Sequence, residues 1–126
     1  MKKLLVFSLL VVSSFAIAQK VKFEKGDLKF LAGQSEVNVE FDYSNLKLMK
    51  DNLTEKEYVD NRAKELDEKN NTGDVWRKKW ESSKEMIWNP KFLELINVVS
   101  KKEKTNISFK ENNSQAKYTL IVEVVW

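Results

Sequence analysis

Glu36-Val37-Asn38-Val39-Glu40-Phe41-Asp42-Tyr43 is the stretch on which the fold class turns. Val37, Val39, Phe41 and Tyr43 alternate with Glu36, Asn38, Glu40 and Asp42, the two-residue period of a strand that buries one face and wets the other. That alternation predicts an antiparallel sheet with one solvated side. The apolar run just upstream, Leu28, Phe30 and Leu31, is set off by Gly33-Gln34-Ser35. The expected unit is a β-hairpin with the carboxylates of Glu36, Glu40 and Asp42 on its outer face.

Upstream, Val21 and Phe23 alternate with Lys20, Lys22 and Glu24 as a short extended lead-in. The chain opens with Lys2 and Lys3, an apolar run over residues 4–12 and the small-x-small triplet Ala16-Ile17-Ala18. This is the pattern of a secretory signal peptide over residues 1–18. The run is well short of the ~20 apolar residues that span a membrane, so no transmembrane anchor is expected after cleavage. No cysteine occurs anywhere, which removes a lipidation site as well as disulfides. The expected location is the periplasm or the extracellular space, with residues 19–126 as a single α+β domain.

Downstream, Thr54-Glu55-Lys56-Glu57 has the capping-box spacing, Thr at the cap and Glu three later. Tyr58, Val59, Arg62, Ala63 and Leu66 follow as an apolar stripe, so a helix is expected over residues 55–69, broken by Asn70-Asn71-Thr72-Gly73. A second helix opens at Asp74, read as its N-cap. Trp76, Trp80, Ser83 and Ile87 fall at i, i+4, i+7 and i+11 on one stripe. Two indoles there can bury roughly 400 Å², which marks this helix as the lid of the core. Pro90, with no amide hydrogen, is expected to end it. A shorter amphipathic run then presents Phe92, Leu95, Ile96 and Val99.

The last two apolar stretches alternate as strands, one through Ile107 and Phe109, the other through Tyr118, Leu120, Val122, Val124 and Trp126. Glu111-Asn112-Asn113-Ser114 between them reads as the turn of a second hairpin. The predicted architecture is α+β: a mostly antiparallel sheet of two hairpins with two to three helices packed on one face, in the order β-β-α-α-β-β. The apolar strand stops at Trp126 in mid-pattern, so the domain is expected to be C-terminally incomplete. That edge is expected to pair with a further strand or, in a strand-mediated homodimer, with a second copy.

Composition excludes more chemistry than it offers. The chain has no histidine, no cysteine and three unclustered glycines. Ser-His-Asp and Cys-His catalysis, ordinary zinc sites and Gly-rich phosphate loops are therefore not expected, and no cofactor or metal is assigned. The formal charge of +3 falls to +1 without Lys2 and Lys3. With export, that argues against nucleic acid as a partner. Carboxylates remain. Glu40 and Asp42 stand roughly 7 Å apart on one strand face, a spacing compatible with a glycosidase pair and equally with a solvated sheet surface. Trp88 lies off the Trp76–Trp80 stripe beside Pro90, and Trp126 ends a strand. These two indoles are the candidates for stacking on a sugar or meeting a protein. The functional expectation is a non-catalytic envelope module that binds a protein or glycan partner; the alternative is a carboxylate-dependent glycan hydrolase using Glu40 and Asp42.

Three patches taken together carry a resemblance. They are Gly26-Asp27-Leu28-Lys29-Phe30-Leu31, Phe41-Asp42-Tyr43-Ser44, and Trp76 and Trp80 with Pro90-Lys91-Phe92 and Tyr118-Thr119-Leu120. They are similar to a group of uncharacterised exported proteins of Gram-negative envelopes whose chains continue past the equivalent of Trp126. The resemblance implies an envelope location and transfers no activity.

Overall fold

The computed structural model describes residues 24–125. The expected leader over residues 1–18, Val21, Phe23 and Trp126 lie outside the described residues. The chain divides into two units, Met1–Ala32 and Gly33–Trp126. In the first, Lys29–Leu31 forms a single 3₁₀ turn, its entry fixed by Asp27 Oδ1 accepting from the Lys29 amide at 2.9 Å. The second holds β1 (Glu36–Asp42), β2 (Lys47–Leu48), β3 (Leu53–Thr54), α1 (Glu55–Asn70), α2 (Gly73–Ser83), a π-helical turn (Lys84–Trp88), α3 (Asn89–Lys102), β4 (Ser108–Glu111) and β5 (Thr119–Glu123).

The main sheet is parallel, which corrects the expected antiparallel pair of hairpins. Its order is β4-β1-β5, with β1 parallel to both neighbours; β2 and β3 form a separate antiparallel ribbon. The expected β-β-α-α-β-β order also fails, because residues 29–31 form a turn and not a strand. Alternation along β1 reports that only one face of the sheet is covered; it carries no information about strand direction. Val37 and Val39 on the covered face are 2% and 1% exposed. Glu36, Asn38, Glu40 and Asp42 look the other way.

Glu111-Asn112-Asn113-Ser114, read as a hairpin turn, instead opens a strap over residues 112–118 that crosses β1. β4 pairs with the first half of β1 and β5 with the second, on opposite sides, so the chain must pass over β1 between them. Parallel crossovers normally take a dozen residues or more and a helix. This shorter one is held down on the polar face. Asn113 donates its backbone N–H to Asn38 Oδ1 at 2.9 Å and its side-chain amide to Glu36 Oε2 at 3.2 Å. Asn112, at φ 55°, takes the left-handed turn that an asparagine tolerates.

The helices cover the other face. α1 starts as expected, with Thr54 and Glu57 forming both halves of a capping box, and ends at Asn71 in the left-handed region. The N-cap of α2 is Thr72 and not Asp74; the freed amide of Gly73 is instead capped by Asp67 Oδ1 of α1 at 2.7 Å. Gly73 is where the two helices touch. A Cβ there would stand 2.3 Å from the Ala63 carbonyl oxygen.

Pro90 does not end the helix. It sits in the first turn of α3, where its missing amide is harmless, and the turn before it widens to π spacing, with Asn89 N–H bonded to Lys84 O. The wider turn spares the Met86 carbonyl a clash with the proline ring. It also inserts one residue into the helical register, a shift of about 100°. Ile87 therefore leaves the expected stripe and is 59% exposed, while Trp88 turns inward. The same shift re-aims α3. Asn89, Phe92, Leu93, Ile96, Asn97 and Ser100 face inward, whereas Leu95 and Val99 are exposed.

Among the described residues few apolar side chains are buried: Val37, Val39, Leu46, Val59 and Ala63. The rest of the core is a run of half-buried aromatic rings. Tyr58 meets Trp80, Trp80 meets Trp88, Trp88 meets Tyr43, Tyr43 meets Phe41, and Phe41 meets Phe92, with centroid separations of 5.2–6.5 Å. Edge-to-face pairs such as Phe41–Phe92 add ~0.5–1.5 kcal/mol each beyond burial.

A strained cleft beside the first helix

A cleft of about 400 Å³ opens between the β2–β3 ribbon and α1, lined by Met49, Asp51, Leu53, Tyr58, Asn61, Arg62 and Glu65. Tyr58, Asn61, Arg62 and Glu65 share one side of α1 by their i, i+3, i+4, i+7 spacing. The capping box fixes where α1 begins, and so fixes which residues meet the cleft. The apolar part of the lining is Leu53 and the Tyr58 ring, with Met49 facing them. That ring is backed by Trp80 at 5.2 Å and Trp76 at 6.1 Å. The rim is polar: a guanidinium, an amide and two carboxylates, with Arg62 and Glu65 already joined at 2.8 Å.

The opposite wall is strained. The residues joining β2 to β3 include Met49 at φ 64° and Asn52 at φ 50°. Asparagine visits the left-handed region readily, but a methionine side chain cannot hydrogen-bond its own backbone there, and such a residue stores on the order of 1–3 kcal/mol. A ribbon of two-residue strands does not hold such strain by itself; it leans on α1. The cost places the Met49 thioether side chain over the cleft, 57% exposed.

A second cluster ties the helices to the sheet. Glu55 accepts from Trp80 Nε1 at 2.8 Å and pairs with Lys84 Nζ at 2.7 Å, and Lys84 lies 5.0 Å from the Tyr43 ring centroid. Every polar group in it has a partner, so it reads as structure. Ser82 and Ser83 both donate to the Lys79 carbonyl oxygen.

The residues singled out from the sequence are not brought together. Glu40 and Asp42 lie on the open face, opposite Ile121 and Glu123 of β5. Glu40 accepts from the Asn38 side chain at 3.3 Å. Asp42 accepts from the Ser44 amide at 2.9 Å, and hydrogen bonds from Ser44 hold its carboxyl below the ordinary 3.8. Neither lines the cleft. Trp88 lies on the opposite, helix-covered side, tilted against Tyr43 and edge-on to Trp80. Trp126 is outside the described residues. The cleft residues gave no sequence signal of their own, because Tyr58 and Arg62 pass for an ordinary helix stripe and Asn61 and Glu65 for a solvated face.

Among the described residues no three His, Cys, Asp or Glu side chains are grouped to hold a metal ion, and no helix is long and apolar enough to cross a membrane. Comparison with protein-family profiles, with curated proteins and with solved structures found no match.

Proposed function

We propose that this chain is an exported, non-catalytic module of the bacterial envelope that binds a glycan, with one sugar residue seated in the cleft beside α1. The observation that carries this reading is the make-up of the cleft: an aromatic floor at Tyr58 within a rim of Asp51, Asn61, Arg62 and Glu65. A sugar ring has an apolar C–H face suited to a tyrosine or methionine. It has hydroxyls that both donate and accept, suited to planar carboxylate, amide and guanidinium groups. The volume lies within the usual range for small-ligand sites. The strained Met49 is the second support, because left-handed non-glycine residues cluster at ligand contacts. The leader pattern over residues 1–18 supplies the envelope location.

The test is titration with chitotriose, cellotriose and maltotriose, followed by calorimetry and by tryptophan fluorescence, since Trp76 and Trp80 stand directly behind Tyr58. Saturable binding by one of them is expected. Asn61→Ala and Arg62→Ala, both on the surface, should weaken it about tenfold each, the loss of one hydrogen bond to a ligand. Release of new reducing ends, abolished by Glu40→Gln, would instead establish the hydrolase. Absence of saturable binding to any of the three would count against the sugar site.

A further inference from the structure

The two edges of the parallel sheet are treated differently. On β4, the groups of Phe109 that point away from β1 are both engaged by one side chain of α3. Asn97 Oδ1 accepts from Phe109 N–H at 2.8 Å and Asn97 Nδ2 donates to Phe109 O at 2.9 Å. The buried Ser100 hydroxyl closes the same edge at Ile107 O. A helix thus replaces the missing strand. Among the described residues β5 has no such cover. Tyr118 O accepts from Asn38 N–H and Val124 N–H donates to Asp42 O. The even-numbered residues of β5 therefore face β1, and the N–H and C=O groups of Thr119, Ile121 and Glu123 point outward. No side chain among the described residues reaches them. The usual protections of an edge (a lysine, a proline, a bulge) are absent from Thr119–Glu123, and Ile121 is 65% exposed.

We infer that this edge pairs with the same edge of a second copy, antiparallel about a two-fold axis at Ile121. The strand Thr119-Leu120-Ile121-Val122-Glu123 is self-complementary when reversed on itself. The three outward-facing residues then form the three hydrogen-bonded pairs, Ile121 with its own copy and Thr119 with Glu123 of the other chain twice over. That exchanges about six backbone hydrogen bonds and leaves no outward group of β5 unpaired. Leu120 meets Val122 in the closer, non-hydrogen-bonded pairs, on the helix-covered side where both are half-buried. On the open side two isoleucines cover each other, and a threonine hydroxyl donates to a carboxylate. No like charges fall opposite, and Glu123 is already oriented by the Asn45 side chain. The result is a six-stranded sheet in the order β4-β1-β5-β5-β1-β4 with both outer edges closed by α3. The contact is isologous, as closed dimers require. The inference is independent of the cleft, though a dimer would carry two clefts and bind a repeating glycan with avidity.

Sedimentation equilibrium of the exported chain should show a reversible monomer–dimer equilibrium. Ile121→Lys places two ammonium groups opposite each other at the axis and should raise the dissociation constant at least tenfold. Because the residue is exposed, the monomer should keep its circular dichroism spectrum. Ile121→Cys is the sharper probe, because the chain has no other cysteine and a hydrogen-bonded pair sets the Cα atoms at about 5.5 Å, within disulfide range. Mild oxidation should give a covalent dimer, whereas Thr119→Cys alone, facing Glu123, should cross-link far less. A chain that stays monomeric while Ile121→Cys fails to cross-link overturns the inference. So does a dimer that survives Ile121→Lys unchanged. Monomers whose outward β5 amides resist hydrogen exchange would show that another segment of the same chain takes the edge, and would overturn it equally.

Discussion

The Tyr43 hydroxyl donates to Asn89 Oδ1 at 2.5 Å, joining the end of β1 to the first residue of α3. Asn89 is 6% exposed and passes the connection on, its side-chain amide donating to Glu111 Oε1 at 3.0 Å. One buried amide therefore links the central strand, the helical layer and the edge strand. It stands at the point where the π turn gives way to Pro90, so the register shift and the polar junction position each other.

Asn89→Ala should destabilise the chain by about 1–3 kcal/mol, because it leaves a partly buried hydroxyl and a carboxylate short of their partner. Tyr43→Phe should cost about 1 kcal/mol. Since both remove the same bond, the double variant should lose clearly less than the two single losses together, measured by urea unfolding. Simple additivity would show that the bond contributes nothing. Burial, with Glu111 and Glu55 nearby, pushes the Tyr43 hydroxyl above its ordinary 10.0. A raised folded-state value means stability that is complete below about pH 10 and is lost as pH rises through the folded value. Tyr43→Phe should therefore flatten the alkaline limb of the stability curve.

Gly73→Ala tests the closest approach of α1 and α2. The added methyl would meet the Ala63 backbone oxygen at 2.3 Å and the Asp67 carboxylate at 2.5 Å. The carboxylate can swing away, but only by giving up its bond to the Gly73 amide, and the carbonyl cannot move without α1. A loss of about 1–3 kcal/mol or more is expected, against the small gain that alanine normally brings to an exposed helix position. Thermal unfolding at or above the parent midpoint would mean that the helices separate freely.

What the sequence disclosed follows from the range of the interaction involved. α1 was legible because its capping box is local: four consecutive residues state where the helix starts. The polar and apolar faces of β1 were legible for the same reason. Strand direction was not, because it depends on which side of β1 residues 112–118 deliver the chain, and that is decided by Asn113 meeting Asn38 from 75 positions away. Pro90 misled because its local effect, a missing amide, ends a helix or opens one depending on whether the preceding turn can widen. The cleft was invisible because its distinctive feature, a methionine at positive φ, has no compositional mark.

Thr54→Ala should cost about 1 kcal/mol by leaving the Glu57 amide without its acceptor. Hydrogen bonds from Thr54 hold the Glu57 carboxyl below its ordinary 4.5. A lowered folded-state value gives stability that is present above about pH 4.5 and fades as pH falls through the folded value. The difference between parent and variant should therefore shrink in acid. A gap in helical content or midpoint that stays constant from about pH 7 to pH 3 would remove Glu57 from the account.

The strap over β1 offers the most specific prediction. Asn38 Oδ1 receives the Asn113 amide, and Asn38 Nδ2 reaches Thr119 Oγ1 at 3.2 Å and Glu40 Oε1 at 3.3 Å. Asn38→Ala removes all three bonds while leaving the backbone pairing with Tyr118 intact, so the sheet should survive and the strap should loosen. Exchange of the Asn113 amide should quicken at least tenfold, with about 1 kcal/mol lost globally. Asn38→Asp separates the roles. It keeps the acceptor for Asn113 but turns the donor beside Glu40 into a second carboxylate, between Glu36 and Glu40 on the same face. Repulsion should raise the new carboxyl's folded-state value, so its penalty should be small near pH 3 and grow as pH rises toward about 7. If Asn38→Asp is no worse at neutral pH than in acid, or if Asn113 exchanges at the parent rate in Asn38→Ala, the strap is held by something other than this side chain.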